Sequence, residues 1–185
     1  MNYEKEITVS INCSKEELIK VLENNHYRKI NSYLVDDIYY VLESTNLDLN
    51  PLEILKNAII VRSIDDKKHY LMYKYKEYDQ NENIINEGKS LVQVLKREEA
   101  KSFLETINYK ELIRVVDKID VYEKDGLEIL IEDVNDKYLF IEIETNEKYD
   151  TIDKLMKVLY NIKIDYDKTN YYAKKAKIIF EENYR

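Results

Sequence analysis

The sequence of 185 residues has one cysteine, one proline, two glycines and no tryptophan. The single cysteine, Cys13, excludes an internal disulfide bond and a zinc site built from several thiolates. The two glycines, Gly88 and Gly126, stand alone, which excludes a glycine-rich phosphate-binding loop of the P-loop or dinucleotide-binding kind. If this protein binds phosphate groups, it must therefore do so with side chains.

Long apolar runs are also missing. No apolar segment approaches the ~20 residues of a membrane-spanning helix. The first residues, MNYEKEITVS, are acidic where a signal peptide would be basic and then apolar. The formal net charge of −8 opposes generic attraction to nucleic acid or to an anionic membrane. We therefore expect a soluble cytoplasmic protein without a nucleic-acid or membrane partner; the sequence does not indicate its oligomeric state.

The pattern of apolar residues predicts a single α+β domain over residues 1–185. A hydrophobic content of 44% is ordinary for a globular protein, and this length can bury a full core. Ser14 with Glu17, and Asn50 with Pro51, are typical of helix starts. The predicted helices cover residues 14–25, 50–57, 96–107, 151–162 and 170–184. The predicted strands cover residues 3–11, 27–44, 57–64, 68–78, 84–95, 111–123, 127–134 and 138–145.

The predicted strands are joined mostly by hairpin-length loops, which favours antiparallel pairing. Eight antiparallel strands can close into a barrel, and closure removes exposed sheet edges. We expect such a barrel, with the amphipathic helices packed on its outside.

Two strands at opposite ends of the chain each carry paired carboxylates. Glu4 and Glu6 share one face of the first strand, and Glu142 and Glu144 share one face of the last. Such pairs are also typical of the solvent-facing side of an antiparallel sheet. The opposite faces are apolar, however, and the chain supplies helices to cover them. We therefore expect these glutamates to point into the barrel.

Buried carboxylates need compensating cations. Arg62, Lys74 and Lys76 lie on predicted strands and alternate with apolar or tyrosine neighbours. Each alone is typical of a solvated strand, but together with the carboxylates they indicate a mixed-charge interior. Such an interior suits a polyphosphate bound with Mg²⁺ or another hard divalent ion.

These residues resemble the motifs of the CYTH family, the triphosphate tunnel proteins that include class IV adenylate cyclases, thiamine triphosphatases and inorganic tripolyphosphatases. Glu4 and Glu6 match the opening Glu-x-Glu, and ILIEDVNDKYLFIEIE resembles the acidic hairpin, with Glu132 at its acidic position and Glu142 and Glu144 as the final pair. The segment DKTNYYAKKA is similar to the start of the closing helix. Arg62 and Lys74 match an arginine and a lysine on the middle strands.

The resemblance implies a metal-dependent triphosphatase, with inorganic tripolyphosphate slightly ahead of a nucleoside or thiamine triphosphate. It implies Mg²⁺ or Mn²⁺ as cofactor, with Glu4 and Glu6 holding the metal that activates water. Glu142 and Glu144, helped by Glu132, would hold the metal that bridges the phosphates. The groups expected to bind phosphate oxygens are Arg62, Lys74, Lys76 and Lys89.

The chain departs from the family pattern on the basic side. Residues without positive charge stand where the family has lysine or arginine: Thr8, Ile60, Asp117 and Ile119. Lys118 is one position out and should face the other side of its strand unless a bulge rotates it. Weak turnover, or binding without catalysis in a non-catalytic module, is therefore an alternative. An adenylate cyclase is a third, for which the sequence shows no purine pocket.

Overall fold

The structure is a computed structural model that describes residues 6–78, 80 and 84–185, with the side chains of residues 84–87 excepted. Glu4 lies outside the described residues. Eight strands are present: β1 (Glu6–Ser10), β2 (Arg28–Leu42), β3 (Ile59–Ile64), β4 (Lys68–Tyr78), β5 (Ile84–Val94), β6 (Tyr109–Lys124), β7 (Leu127–Val134) and β8 (Tyr138–Glu144). The predicted strands are thus confirmed, with shifts of a few residues at their ends.

Five helices complete the described elements: α1 (Lys15–Asn24), α2 (Pro51–Leu55), α3 (Arg97–Thr106), α4 (Ile152–Ile162) and α5 (Lys175–Tyr184). The start of α1 has the predicted capping box, in which Ser14 accepts from the Glu17 amide and the Glu17 carboxylate accepts from the Ser14 amide. Asn50 caps α2 by accepting a hydrogen bond of 2.8 Å from the Leu52 amide. Side-chain caps at these positions explain why the local sequence located both starts correctly.

The strands form one eight-stranded antiparallel sheet in the order β1-β8-β7-β6-β2-β3-β4-β5. Its tight hairpins use residues that tolerate a positive φ angle, such as Asp125 (54°) and Gly126 (80°) between β6 and β7. In the described part of the chain, β1 and β5 end this order without pairing with each other. Closure into a barrel stays a prediction.

The outer edge of β1 is covered by a later segment of the chain. The Thr8 amide donates to the Tyr171 carbonyl at 3.0 Å, and the Ala173 amide donates to the Thr8 carbonyl at 2.9 Å. The Asp167 amide likewise donates to the Ser10 carbonyl at 2.9 Å. This pairing explains why α5 begins at Lys175 and not at residue 170 as predicted. It also protects an edge strand that would otherwise expose its backbone polar groups.

Two compact units make up the chain: residues 1–33 with 117–173, and residues 34–116 with 174–185. We call them unit 1 and unit 2; β2 and β6 contribute residues to both. The core of unit 1 packs one face of β1, β7 and β8 against α1 and α4. Its fully buried members include Ile7, Ile131, Ile141, Ile143, Leu18, Leu22, Leu155 and Leu159. Helix α4 therefore covers the strand face opposite the carboxylates.

Unit 2 has its own core between the sheet and α3. Ala100 and Leu104 of α3 pack against Ile38, Tyr40 and Val61 of β2 and β3. Helix α5 packs against α2, and its Phe180 is fully buried. In the described part of the chain, no helix is both long and apolar enough to cross a membrane. The prediction of a single domain stays a prediction.

Candidate metal and phosphate site

The predicted carboxylates lie on one face of the sheet in unit 1. Glu6 of β1 pairs in register with Glu144 of β8, and Thr8 pairs with Glu142. Paired residues of antiparallel strands point to the same side of a sheet. Ile7, Ile141 and Ile143 are buried under the helices on the other side. The glutamates therefore point away from the helices, as the sequence predicted. We call the side with Glu6, Glu142 and Glu144 the acidic face.

Three of these carboxylates come together. One carboxylate oxygen from each of Glu6, Glu142 and Glu144 lies within 4.8 Å of the others. We call these residues the acidic cluster; Glu6 and Glu142 are half-buried and Glu144 is exposed. Ionised carboxylates at this separation repel one another, and a bound cation would reduce that repulsion. Carboxylate oxygens are the ligands that Mg²⁺ and Mn²⁺ accept, and the donor set therefore fits the metals that the resemblance implies.

Glu132 lies on the same face but outside the acidic cluster. It pairs in register with Phe140 of β8 and with Ile119 of β6, and it is 1% exposed. Asp117, two residues before Ile119, is also buried on this face. The acidic face therefore holds buried acids beyond the three that converge.

The predicted phosphate-binding residues lie on one face of the sheet in unit 2. Arg62 pairs in register with Tyr70, and Lys74 pairs with Lys89. Tyr70, Lys74 and Lys76 are separated by even numbers of positions along β4, so their side chains point to the same side of the sheet. All four basic residues therefore point away from α3. We call this side the basic face. Lys74 and Lys76 are half-buried, whereas Lys89 is exposed.

Asp37 is a residue of the basic face that the sequence analysis missed. Its carboxylate accepts two hydrogen bonds from Arg62, with Nε–Oδ1 at 2.7 Å and Nη2–Oδ2 at 2.6 Å. Asp37 is 5% exposed, so this bidentate pair is largely shielded from water. The signal in the sequence is the acidic doublet Asp36-Asp37 inside an apolar strand, because alternation must send one acid to each face.

The other residue of the doublet, Asp36, points to the side of the sheet on which α3 packs. It accepts hydrogen bonds from Arg97 at 2.6 Å and from Arg114 at 2.7 and 2.9 Å. Burial raises the pKa of Asp36, but the hydrogen bonds from Arg114 and Arg97 outweigh burial and lower the pKa to about 2. This ion network fixes the start of α3 on the sheet and is separate from the basic face.

The start of α5 and the residue before it carry cations that the sequence analysis did not assign. The Lys174 Nζ lies 5.8 Å from the centre of the Tyr78 ring. Burial raises the pKa of the Tyr39 hydroxyl, as does Asp37, whereas Arg62 and Lys175 lower that pKa. Tyr39 pairs in register with Ile60, which lies two positions before Arg62 on β3. Lys175 therefore acts electrostatically on the basic face, although it is far from β3 in the sequence.

The positions at which the sequence departs from the family pattern lie in different surroundings. Ile60 is 2% exposed and pairs with Met72, so its place on the basic face is filled by apolar packing. Asp117 and Ile119 share the acidic face with Glu132. Lys118 lies on the opposite side, opposite Asp133, and its ammonium donates to Asp136. The expected orientation of Lys118 is confirmed, since β6 pairs with β7 without a bulge here.

No family model matches this sequence, and no curated protein matches it. Solved structures do match. The PH1012 protein from Pyrococcus horikoshii is 18% identical, with a TM-score of 0.67 over 95% of this chain and 99% of that one. HpAC1 from Hippeastrum, a proposed adenylyl cyclase described as having a dominant triphosphatase activity, is 14% identical, with a TM-score of 0.69 over 97% and 96%.

A proposed adenylate cyclase from Vibrio parahaemolyticus is 12% identical to this chain, with a TM-score of 0.66 over 97% of this chain and 98% of that one. At these identities the likeness establishes the fold. The chain therefore shares the fold of HpAC1 and of proposed adenylate cyclases, in agreement with its sequence resemblance to the CYTH family.

Proposed function

We propose that this chain is a divalent-metal-dependent phosphohydrolase of a triphosphate compound, bound in a tunnel that the eight-stranded sheet forms on closure. The observation that carries the proposal is the acidic cluster, in which oxygens of Glu6, Glu142 and Glu144 lie within 4.8 Å of one another. The fold is shared with HpAC1, described as having a dominant triphosphatase activity, which supports a triphosphate-related activity.

The proposed roles follow the resemblance. Bound Mg²⁺ or Mn²⁺ would polarise the phosphoryl group and lower the pKa of a coordinated water. Glu6, together with Glu4, would hold the ion that serves the attacking water. Glu142 and Glu144, helped by Glu132, would hold the ion at the phosphates. The acidic face would therefore hold several carboxylates around the cations.

The basic face would neutralise the charge of the phosphates. Arg62, Lys74, Lys76 and Lys89 are the proposed partners of the phosphate oxygens, and Lys175 adds a cation to the same face. Phosphoryl transfer depends largely on positioning and on charge stabilisation in the transition state. Because Asp37 already binds Arg62 and because Thr8 and Ile60 replace basic residues, we expect turnover to be weak.

A phosphate-release screen tests the proposal. Inorganic tripolyphosphate, nucleoside triphosphates and thiamine triphosphate would each be incubated with the protein and Mg²⁺, Mn²⁺ or EDTA. We expect metal-dependent release that a Glu142→Gln variant reduces by on the order of 10²–10³, the cost of removing a preorganised charge-stabilising group. The matched control, Glu98→Gln on the exposed surface of α3, should retain the parental rate. Equal loss in both variants, or release that is insensitive to EDTA, would contradict the proposal.

A non-catalytic triphosphate-binding module is the second candidate. It is favoured by the bidentate Asp37–Arg62 pair, which reduces the positive charge of the basic face. Calorimetric titration with tripolyphosphate in the presence of Mg²⁺ distinguishes the two candidates. Binding without phosphate release supports the module, whereas binding with release supports the enzyme. Release of pyrophosphate from ATP together with cyclic AMP, in place of phosphate, would indicate a cyclase.

A further inference from the structure

A small cavity of about 170 Å³ lies in unit 1, on the side of the sheet opposite the acidic face. It is bounded by the end of α1, the residue before β2, the β6–β7 turn, the loop before α4 and the last turns of α4. Lys124, at the end of β6, lines it. Tyr122, two positions earlier on β6, belongs to the core under α1 and α4, and residues two apart on a strand share a face. The cavity is therefore separated from the acidic cluster by the sheet.

The size of the cavity limits its ligand to a very small molecule. The volume of about 170 Å³ corresponds to about five to six water molecules at roughly 30 Å³ each. Sites for larger organic ligands are typically about 300–1,000 Å³. The space therefore suits a compound no larger than a free amino acid with a small side chain.

Lys124 and Asp125 bring opposite charges to the wall of this cavity. The half-buried Lys124 ammonium donates to the Asn25 carbonyl at 2.8 Å and lies 5.7 Å from the centre of the Tyr27 ring. An ammonium group has three donors, and this carbonyl takes one of them. In the part of the chain that the structure describes, neither Lys124 nor Asp125 forms an ion pair within 4.0 Å. The wall thus carries a positive and a negative group that do not neutralise each other by direct contact.

The rest of the wall combines hydroxyl groups with apolar surface. Burial raises the pKa of the Tyr27 hydroxyl to about 12, and Tyr149 and Asp125 raise that pKa further, which places both near the hydroxyl. The Tyr27 hydroxyl makes no hydrogen bond to another described residue, so it can accept from a ligand and donate to it. The half-buried Val158 and Tyr149 supply apolar surface.

Hydrogen bonds between elements hold the wall in place. The Asn25 side-chain amide, after α1, donates to the Ile162 carbonyl at the end of α4 at 3.3 Å. The Asn146 side-chain amide donates to the Gly126 carbonyl of the β6–β7 turn at 2.9 Å. Its side-chain oxygen accepts from the Tyr149 amide at 2.8 Å. The cavity is therefore preformed, and a ligand need not order it.

We propose that this cavity binds a small zwitterion with the size and charge pattern of a free amino acid. Its carboxylate would accept from Lys124, and its ammonium group would donate to Asp125 and to the Tyr27 hydroxyl. Its apolar part would lie against Val158 and Tyr149. A ligand with both charges matches both charged wall groups, whereas a ligand with one charge leaves the other group unmatched. This site is distinct from the proposed phosphohydrolase site and does not depend on it.

The test is an NMR titration of the ¹⁵N-labelled protein, without triphosphate or added metal. Glycine, L-alanine, L-serine and L-valine are the zwitterionic probes, and acetate and ethylamine each carry one of the two charges. At least one amino acid should give saturable shifts of the Gly126 backbone amide and the Asn25 and Asn161 side-chain amides. It should bind at least roughly tenfold more tightly than acetate or ethylamine, because each single-charge probe lacks one charged hydrogen bond.

Two variants test the charged groups separately. Lys124→Met keeps the length of the side chain without its charge. Asp125→Asn removes the other charge, and asparagine tolerates the positive φ angle of 54° at this position. Each should weaken binding of the best amino acid by roughly tenfold. The matched controls, Lys20→Met on the exposed surface of α1 and Asp66→Asn in the β3–β4 turn at a φ angle of 53°, should leave binding unchanged.

Several outcomes would overturn the inference. One is the absence of saturable shifts with all four amino acids, and another is acetate or ethylamine binding as tightly as the best amino acid. Undiminished binding in both cavity variants would place the ligand elsewhere. If Lys124→Met does not fold, because Lys124 also holds the Asn25 carbonyl, Asp125→Asn decides: undiminished binding in that variant alone rejects the site.

Discussion

Arg62 donates two hydrogen bonds to Asp37, with nitrogen–oxygen distances of 2.7 and 2.6 Å. The guanidinium that the sequence analysis assigned to phosphate thus has a carboxylate partner inside the protein. Asp37 is buried and Arg62 is only partly exposed, so solvent screens the pair weakly. A phosphate that approaches Arg62 must share it with Asp37, which reduces the net charge available to the ligand.

Replacing Asp37 by asparagine should strengthen the binding of tripolyphosphate. Asparagine has a similar shape but no charge, so Arg62 would retain its place and act on the ligand with its full charge. We expect the dissociation constant to fall by roughly tenfold, which corresponds to about 1.4 kcal/mol. Calorimetric titration in the presence of Mg²⁺ measures this change.

The control for that experiment is Asp66→Asn, which removes the same charge from the exposed β3–β4 turn. It should change the dissociation constant little, because exposed charges are screened by salt. An equal gain in both variants would show that only the net charge matters. A loss of affinity in Asp37→Asn alone would mean that Asp37 is needed to position Arg62.

The sequence predicted the elements and the faces because both depend on local periodicity. Alternation along β8 placed Glu142 and Glu144 on one face, and this assignment survives because a one-residue slip would bury them under α4. The capping residues Ser14 and Asn50 likewise marked helix starts by local hydrogen bonds. These features do not require knowledge of distant contacts.

Features that depend on distant contacts could not be predicted. The late start of α5 results from pairing of Thr8 with residues 171–173, which are more than 160 positions away. The Asp37–Arg62 pair and the effect of Lys175 on Tyr39 join different elements in the same way. A cavity beside Glu144 is lined by residues of β2, β6, β7 and β8, so no single stretch of sequence shows it.

Divalent metal should stabilise the folded protein through the acidic cluster. A ligand that binds only the native state raises the free energy of unfolding by about 2.7 kcal/mol at a concentration 100 times its dissociation constant. Thermal unfolding should therefore shift upward with Mg²⁺ or Mn²⁺ compared with EDTA. In the double variant Glu142→Gln/Glu144→Gln, the metal-induced shift should disappear.

The double variant Glu98→Gln/Glu99→Gln on the exposed surface of α3 provides the matched control. It loses the same charge but should keep the full metal-induced shift. A shift that persists in Glu142→Gln/Glu144→Gln would locate the metal elsewhere in the protein.

Acid should destabilise the protein through Asp36. Its pKa falls from an ordinary value of 3.8 to about 2 in the folded state, because hydrogen bonds from Arg114 and Arg97 outweigh the opposite effect of burial. A lowered folded pKa stabilises the native state above the unfolded pKa, and this contribution is lost as pH falls from about 4 to about 2. The contribution is about 2 kcal/mol, from the conversion of a pKa difference into free energy.

Urea unfolding at several pH values between 2 and 7 checks this expectation. Asp36→Asn should lower the free energy of unfolding at pH 7 and flatten its decrease below pH 4. Asp48→Asn, at an exposed position, should leave both the value and the slope close to those of the parent. A parental slope in Asp36→Asn would assign the acid sensitivity to other carboxyl groups.

Lys175 should contribute to anion binding on the basic face. It lowers the pKa of the Tyr39 hydroxyl, as Arg62 does, which places its charge near the same group. Lys175→Ala should weaken tripolyphosphate binding several-fold because one cation is lost. Lys96→Ala, at an exposed position before α3, should weaken it much less. Equal effects of the two changes, measured by titration at low and at high salt, would reduce the role of Lys175 to long-range attraction.

Thr8 is the position where a single substitution can restore a missing cation. Thr8 pairs in register with Glu142, lies on the acidic face and is 5% exposed. In Thr8→Lys, the stem can follow the sheet while the ammonium lies among the carboxylates, where it would contact a phosphate oxygen. We expect tripolyphosphate to bind or hydrolyse better than in the parent at the same Mg²⁺ concentration, by roughly tenfold for one new charged contact of about 1.4 kcal/mol. Thr8→Met, which has a similar length without the charge, should give no gain. A gain in both variants would be a packing effect, and no gain in Thr8→Lys would place the anion away from β1.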